Sequence, residues 1–188
     1  MGRWEPGAAD RLRQAALELF VEQGYEQTTV SDIAARAGLT ARTFFRHFAD
    51  RREVLFAGSH QLEARLVRAL AEAPAACSPL QAVEVALNAV AAALTDRSWS
   101  TQRQLVISAH AELRERERSK LASLSAALAE GLRRRGVRDP QAVLAAEAGV
   151  AVFHVAFRRW VTQPDDQVLS VVLSESFGQL RALAAADT

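Results

Sequence analysis

Two arginines one helical turn apart, Arg42 and Arg46, are the side chains of this sequence best suited to recognise a ligand by hydrogen bonding. A guanidinium group can form paired hydrogen bonds with guanine, and a hydroxyl such as that of Thr43 can contact a phosphate or a thymine methyl group. At about 100° per residue, Phe44 and Phe48 fall on the opposite side of the same helix. The spacing predicts a short helix that buries two aromatic rings and directs two arginines toward a DNA major groove. An ordinary solvent-facing surface is the alternative interpretation.

The residues before this helix predict a second helix and a tight turn that would position it. Thr29 is suited to cap the first of the two helices, and Asp32 in its first turn completes a variant of the capping box. Gly38 favours a helix end, because glycine readily adopts left-handed backbone angles. Thr40 can then cap the following helix. Two short helices joined by a turn that contains a glycine are typical of the helix-turn-helix motif.

A longer run of residues resembles a known family. In chain order it consists of Leu19-Phe20, Gly24-Tyr25, Thr28-Thr29-Val30, Asp32-Ile33-Ala34, Ala37-Gly38 and Thr43-Phe44-Phe45-Arg46-His47-Phe48. This order resembles the N-terminal domain of the TetR family of transcriptional regulators over roughly residues 8 to 60. The resemblance implies a DNA-binding surface formed by Ser31, Ala41, Arg42, Thr43, Phe45, Arg46, His47 and Arg51.

The resemblance also implies different roles within that surface. Thr43 and His47 match positions that commonly contact phosphate. Position 45 is often tyrosine, whose hydroxyl meets phosphate, and Phe45 cannot form that bond. Position 42 is often small, so Arg42 is expected to add a contact to a base or to a phosphate. Arg46 stands where the residue varies among members, as expected of a position that sets specificity.

Positive charge is concentrated between Arg36 and Arg52. This stretch holds five arginines and one acid, a local charge of +4 in a chain whose formal net charge is +1. Within it, Asp50 is predicted to cap a long helix from Arg51 to about Ala73. The amides at the start of that helix and the Arg51 guanidinium would both attract phosphate. The segment therefore predicts an edge that faces the DNA backbone.

Other kinds of site find little support. The single cysteine, Cys77, cannot form an internal disulfide, and it is either an inert loop residue or a redox-sensing thiol. No histidines stand at metal-ligand spacing, and no glycine-rich phosphate loop or nucleophile motif occurs, so no cofactor, metal or enzymatic activity is expected. Without an N-terminal apolar run or about 18 consecutive apolar residues, the chain is predicted to be cytoplasmic with no membrane partner.

The composition predicts an all-α fold, because only nine glycines and five prolines interrupt a chain that is 49% hydrophobic. A three-helix, DNA-binding head is expected over residues 1–60, with the helix-turn-helix at about 29–48, and a helical body over 61–188. About nine helices are expected in all. In the body they are predicted at 80–95, 99–109, 113–135, 140–161 and 167–185, with Ser78 and Asp139 as caps.

The last two predicted helices are apolar over two stripes. One stripe is predicted to face the body: Leu144, Ala148, Ala151, Val152, Val155 and Trp160. The other is predicted to form a four-helix interface with a second copy of the chain: Gly149, Val150, Phe153, Phe157, Leu173, Phe177 and Leu180. The reason is that a terminal helical hairpin can bury only one side within a monomer. Alternatively, the hairpin is central and both stripes are core.

The resemblance further implies a small-molecule pocket in the body. The candidate lining residues are Trp99, His110, His154 and Trp160, each of which could instead be ordinary core. An apolar body favours an apolar effector. The combined hypothesis is a homodimeric repressor that binds double-stranded DNA at a pseudo-palindromic operator and is released by a small effector. The alternative is a helical protein-interaction module whose helix-turn-helix no longer binds DNA.

Overall fold

The computed structural model describes residues 7–163 and 167–186, and these residues are almost entirely helical. Within them lie nine α-helices: α1 (Ala8–Glu22), α2 (Val30–Arg36), α3 (Ala41–His47), α4 (Ser59–Glu72), α5 (Pro79–Ala91), α6 (Arg97–Ala109), α7 (Ala111–Arg134), α8 (Gln141–Thr162) and α9 (Leu169–Ala186). A short 3-10 helix, Glu53–Phe56, follows α3. The predicted all-α fold is confirmed.

The chain divides into two compact units. The head contains the described residues up to Gly58 together with Gln102–Glu115. The body contains Ser59–Thr101 and the described residues from Arg116 onward. Compared with the predicted division at residue 60, the head gains the second half of α6 and the first residues of α7. Each of these two helices therefore contributes residues to both units.

The core of the head joins its first three helices through side chains at helical spacing. Its fully or nearly fully buried members include Leu12, Ala16, Leu19, Phe20, Ile33, Phe44, Val54 and Leu55. Gly24, at φ 93°, ends the first helical segment in the left-handed conformation that glycine tolerates. Through these contacts the two helices of the helix-turn-helix pack against each other and against the first helix.

The predicted long helix from residue 51 to residue 73 is wrong. Asp50 does accept hydrogen bonds from the backbone N–H groups of Arg52 at 2.8 Å and Glu53 at 3.1 Å. These bonds start only the short 3-10 helix, and Gly58 at φ 85° then breaks the chain before α4 begins. A left-handed residue cannot continue a right-handed helix, so the segment forms two helices separated by a turn.

Residues 102–115 complete the head by specific polar contacts. The Arg103 guanidinium donates a 2.6 Å hydrogen bond to the Leu55 carbonyl and lies 5.0 Å from the centre of the Phe56 ring. The His110 ring lies 4.8 Å from the ring of Tyr25. These contacts bring the junction of α6 and α7 onto the elements on either side of the helix-turn-helix.

The body is a helical bundle in which α5, α8 and α9 pack against one another and α4 packs against α5. Its core includes Leu66, Leu70, Val83, Leu87, Leu128, Leu132, Ala146, Ala156, Trp160, Val172 and Phe177. Ser78 caps α5 in a capping box with Gln81, and Pro79 occupies the first turn, as predicted. The Arg135 guanidinium donates to carbonyls at the end of α4, including Leu70 at 3.1 Å and Ala73 at 2.8 Å.

Asp139 is not the cap of α8, contrary to its predicted role. Pro140 occupies the cap position, where no side chain closes the helix. The Asp139 carboxylate instead accepts a 3.0 Å bond from Arg133 at the end of α7. An arginine within reach therefore competes successfully with the helix amides for this carboxylate.

Packing of α8 corrects the predicted dimer residues. Gly149 lies against α5, where an added Cβ would come within 2.2 Å of Val83 Cγ1. Buried with it in the same chain are Val150, Phe153, Leu173 and Phe177, and Phe157 and Leu180 pack partly buried against them. The predicted interface is thus mainly core of a single chain. The small residue at 149 serves close approach of α8 to α5 rather than contact with another copy.

The exposed apolar stripe lies on the other side of α8. Leu144 is 64% exposed and Val155 is 54% exposed, although both were predicted to face the body. Ala151 between them is also exposed, as are Val168 and Val171 at the start of α9. Arg159 of α8 and Glu175 of α9 form an ion pair at 3.2 Å. Of the six residues predicted to face the body, Leu144, Ala151 and Val155 are therefore on the open side. Val152 and Trp160 are buried, as predicted.

By length and composition alone, α8 is apolar enough to cross a membrane, although no span was expected from the sequence. Its packing on α5 and α9 requires apolar residues. One such helix is weak evidence for a span, because core helices satisfy the same criteria.

Candidate nucleic-acid interface

Two helix caps set the start of each helix in the helix-turn-helix. The backbone N–H of Thr29 donates to the Asp32 carboxylate at 2.9 Å, and the Thr29 hydroxyl accepts from the Asp32 N–H at 3.2 Å. The Thr29 hydroxyl also donates to the Asp32 carboxylate at 2.7 Å, and this bond, together with the one from the Thr29 N–H, holds the pKa of Asp32 below its ordinary value. The Thr40 hydroxyl accepts from the Thr43 N–H at 3.1 Å and so caps α3. Both predicted caps are confirmed.

The turn between α2 and α3 is held by an arginine that the sequence did not single out. Gly38 takes φ 65°, the left-handed conformation expected where α2 ends. Arg11 of α1 donates from both Nε and Nη2 to the Ala37 carbonyl, and from Nη2 to the Gly38 carbonyl at 3.4 Å. These carbonyls would otherwise lack partners at the end of α2. Arg11 therefore orients the turn, and with it α3.

The two faces of α3 match the prediction. Phe44 is fully buried and Phe48 nearly so, with their ring centres 5.5 Å apart. Arg42, Phe45 and Arg46 are exposed on the opposite side. In the part of the chain that the structure describes, neither of these two arginines has a hydrogen bond or an ion pair. The helix is thus anchored by aromatic rings and presents two uncommitted guanidinium groups.

The remaining residues of the predicted surface differ in accessibility. Ser31 is exposed in the first turn of α2, and Ala41 is half-buried at the start of α3. Thr43 is half-buried, with its hydroxyl 3.0 Å from that of Thr40. His47 is half-buried, and its Nε2 is shielded from solvent without a hydrogen-bond partner. A phosphate at His47 would therefore have to meet Nδ1.

Arg51 points inward, which differs from its predicted position beside a phosphate. Its Nη1 donates to the carbonyls of Tyr25 at 2.9 Å and Thr28 at 2.9 Å, and Nη2 pairs with Glu26 at 3.1 Å. The guanidinium also lies 4.2 Å from the centre of the Tyr25 ring. Arg51 therefore fixes the loop that leads into α2. The sequence showed the positive charge of Arg51, but it did not show the direction in which the side chain points.

Ion pairs within the head reduce the positive edge to a narrower patch. Arg36 pairs with Glu22 at 2.7 Å and with Glu18 at 3.4 Å, and its hydrogen bond holds the pKa of Glu22 below the ordinary value. Arg52 pairs with Asp50 at 2.7 Å and likewise lowers the pKa of that carboxyl group. Three of the five arginines between 36 and 52 thus have partners inside the head, counting Arg51 with these two. The outward charge rests on the pair in α3.

The four predicted pocket residues are divided between the two units. His110 belongs to the head, where it contacts Tyr25 and lies 3.8 Å from Glu26, so its assignment to a pocket in the body is wrong. Trp160 is buried, and its indole N–H donates to the Gln167 carbonyl at 3.0 Å. Trp99 and His154 are half-buried in α6 and α8. The structure leaves these last two as candidates.

Comparisons with known proteins place this geometry in a family. The sequence model described as bacterial regulatory proteins, tetR family, matches residues 12–57, which include the whole helix-turn-helix. A second model, described as the MftR C-terminal domain, matches residues 77–185. The chain is also 33% identical to the HTH-type transcriptional regulator TcmR of Streptomyces glaucescens, over 95% of this chain and 84% of that protein.

The chain belongs to the TetR family. It is accordingly a DNA-binding transcriptional regulator and not an enzyme, and the resemblance drawn from residues 8 to 60 is confirmed. The TetR-family model ends at residue 57, close to the break at Gly58 where the first segment of the head ends. The helix α3, with its outward arginines, lies well inside the matched segment.

Solved structures share the fold of this TetR-family chain at low sequence identity. The SmeT–triclosan complex, SmeT being a repressor from Stenotrophomonas maltophilia, aligns with TM-score 0.64 and 19% identity over 92% of this chain and 91% of that one. FadR of Thermus thermophilus, in complex with lauroyl-CoA, aligns with TM-score 0.57 and 21% identity over 92% of each chain. These matches establish a common fold of head and body helices.

Proposed function

We propose that this TetR-family regulator is a cytoplasmic repressor that binds a pseudo-palindromic operator as a homodimer and is released by a small apolar effector. The observation that carries the proposal is the pair Arg42 and Arg46, which have no hydrogen-bond or ion-pair partner among the described residues and lie on an outward face of α3, while Phe44 and Phe48 anchor the opposite face. A rigidly held helix with two uncommitted guanidinium groups suits the DNA major groove.

Base recognition is assigned to the two arginines. They are four residues apart on one short helix, so they can reach neighbouring base pairs, and each can bond a guanine through both O6 and N7. Ser31, Thr43 and His47 are assigned to phosphate contacts, which fix the position of the helix on the duplex. Arg51 is reassigned to holding the loop before α2, because its donors already bind backbone carbonyls.

Dimerisation is assigned to the open stripe of α8 and α9 rather than to the buried one. Leu144, Ala151 and Val155 form one exposed line, and Val171 extends it on the neighbouring helix. Contiguous exposed apolar residues on a terminal hairpin are costly in water and are commonly covered by a second copy. A two-fold pairing would present two heads to two half-sites of the operator.

An apolar effector is supported by the relatives and by the composition of the body. The solved relatives named above carry triclosan and lauroyl-CoA, and both ligands have a large apolar part. In the present chain, Trp99 and His154 are the half-buried larger side chains of the body that the sequence suggested for such a site. A ligand that binds one arrangement of the heads better than another would shift the protein toward it.

Selection of bound fragments from genomic DNA by the purified protein tests the proposal. The selected fragments should share an inverted repeat and should shift in a mobility assay. Arg46→Ala should weaken operator binding by about 5- to 150-fold, since a good arginine–guanine pair is worth about 1–3 kcal/mol. Arg68→Ala, which removes the same charge from an exposed position of α4, is the matched control and should have little effect. Absence of any enriched fragment would instead favour a protein-interaction module.

A further inference from the structure

We propose that Phe45 recognises thymine in the operator through the 5-methyl group in the major groove. The inference rests on the proposed function, since it assigns a task to one more residue of the same recognition helix. It adds a chemical class of base to the site: a methyl-bearing pyrimidine beside the base pairs read by the arginines.

The exposure of Phe45 is the first observation. Phe45 is 58% exposed. Among the described residues, the other exposed large hydrophobic residues are all aliphatic. A phenyl ring left in water on a functional face loses the benefit of burial that such a ring normally has. A surface that covers the ring would recover that benefit.

The position of the ring is the second observation. Phe45 follows Arg42 by three residues and precedes Arg46 by one, so the three side chains share the outward side of α3. A groove that accepts the two guanidinium groups must also accept the ring beside them. The ring is not free to fold back into the core, because that space is filled by Phe44 and Phe48.

The orientation of the ring is the third observation. The rings of Phe44 and Phe45 meet edge to face, with centres 5.6 Å apart and planes at 83°. Phe44 is fully buried and packs against Phe48. This contact holds Phe45 in an outward position before DNA arrives, which lowers the entropy lost on binding.

The chemistry of the phenyl group determines which base it can contact. A phenyl group has no donor or acceptor, so it cannot bond a phosphate or the polar edge of a base. The apolar group displayed in the major groove of unmodified DNA is the thymine methyl. Placing the ring against a cytosine amino group or a guanine carbonyl would remove water from polar atoms without replacing their hydrogen bonds. Phe45 is therefore expected to favour thymine and to disfavour a G·C pair in either orientation.

Replacement of thymine by uracil in the selected operator tests the proposal. The base pair and its hydrogen bonds stay the same, and only the methyl group is removed. Affinity is measured by fluorescence anisotropy for operators that carry uracil at one thymine position at a time. At one position in each half-site, uracil should weaken binding by about fourfold, the value expected for one methyl-sized apolar contact.

Two variants separate this contact from a general weakening of binding. Phe45→Ala should bind the thymine and uracil operators equally, whereas Phe45→Leu should keep most of the preference because it retains an apolar side chain. Since position 45 is exposed, both variants should fold, which circular dichroism and thermal unfolding verify. Uracil tolerated at every position by the unmodified protein, or a uracil penalty that persists in Phe45→Ala, would overturn the proposal. Failure to bind any selected DNA would overturn the proposed function itself, and the thymine contact with it.

Discussion

The Tyr25 hydroxyl donates a 2.6 Å hydrogen bond to the Glu112 carboxylate, across 87 positions of the sequence. Tyr25 belongs to the loop between α1 and α2, and Glu112 is in the first turn of α7. Arg52 lies 3.9 Å from the same carboxylate. The start of α7 is thereby tied to the loop that leads into the helix-turn-helix, which is a connection that no local sequence pattern indicates.

Removing this hydroxyl should lower the stability of the fold. Tyr25→Phe is expected to reduce the free energy of unfolding by about 1 kcal/mol, the usual net value of a buried hydrogen bond. Urea denaturation measures the change. In a double-mutant cycle with Glu112→Ala, the double variant should lose less stability than the two single variants lose together, because each substitution breaks the same bond. Additive effects would show that the two groups do not interact in solution.

The same tyrosine predicts how the protein responds to alkaline pH. Burial raises the pKa of Tyr25 above its ordinary value of 10.0, and the bond to Glu112 raises it further. The folded state therefore keeps a proton that the unfolded state releases, so this contribution to stability is complete below pH 10.0 and declines as the pH rises above it. Because the chain has one tyrosine, the change in ultraviolet absorbance that accompanies tyrosinate formation reports this group alone. Tyrosinate should form together with unfolding, and ionisation at the ordinary pKa in the folded protein would contradict the prediction.

Arg51 offers a test between an internal role and a phosphate contact. The Arg51 guanidinium is bound to three loop carbonyls and to the Glu26 carboxylate, so Arg51→Ala should lower the free energy of unfolding by roughly 2 kcal/mol. The salt dependence of operator binding should keep its slope, because no phosphate contact is lost. If Arg51 bonded a phosphate, the slope of log affinity against log salt would fall by about 0.9 and stability would be unchanged. Arg51→Lys should not restore stability, since one ammonium cannot reproduce the planar set of donors.

The packing of α8 on α5 should be sensitive to a single added methyl group. Gly149→Ala is expected to cost about 1–3 kcal/mol, because the new Cβ would lie 2.2 Å from Val83 Cγ1. Val83→Ala removes the atom that it would strike. The double variant should therefore be more stable than the sum of the two single changes predicts, as measured by denaturant unfolding. A Gly149→Ala protein of unchanged stability would show that the two helices do not approach this closely.

The open stripe of α8 can be tested as the site of dimerisation. Val155→Arg should leave each chain folded, because the position is 54% exposed. It should yield a monomer, because the introduced charge would oppose the pairing of two apolar stripes. Sedimentation at several concentrations measures the change in mass. Val85→Arg, at a 39% exposed position of α5, is the matched control and should remain a dimer. A dimer that survives Val155→Arg while Val85→Arg dissociates would move the interface to α5.

Local sequence patterns predicted local structure well. Thr29, Thr40 and Ser78 were each identified as caps, and each closes its helix in the structure. A cap depends on residues within one turn of it, so nearby sequence contains most of the relevant information. The two faces of α3 were predictable for the same reason, since about 3.6 residues per turn fixes which side chains share a side.

Most of the wrong predictions involved partners that are distant in sequence. Periodicity located two apolar stripes on α8 but could not say which one met α5, and Gly149 is equally compatible with close packing inside a chain or between two chains. The direction of Arg51 depended on carbonyls more than 20 residues away. Asp139 was predicted as a cap, but its carboxylate pairs with Arg133, six residues earlier, instead of closing α8. In contrast, the break at Gly58 had a local signal, a glycine inside a predicted helix, which was overlooked.

The inclusion of Gln102–Glu115 in the head has a practical consequence for how the protein can be dissected. A fragment that stops at residue 60 would lack Arg103, His110 and Glu112, and with them the contacts they make to the Phe56 and Tyr25 region. No single proteolytic cut can release the whole head, because the head consists of two segments that are separated in sequence. Grafting the head onto a foreign effector domain would require transplanting two separate stretches of polypeptide.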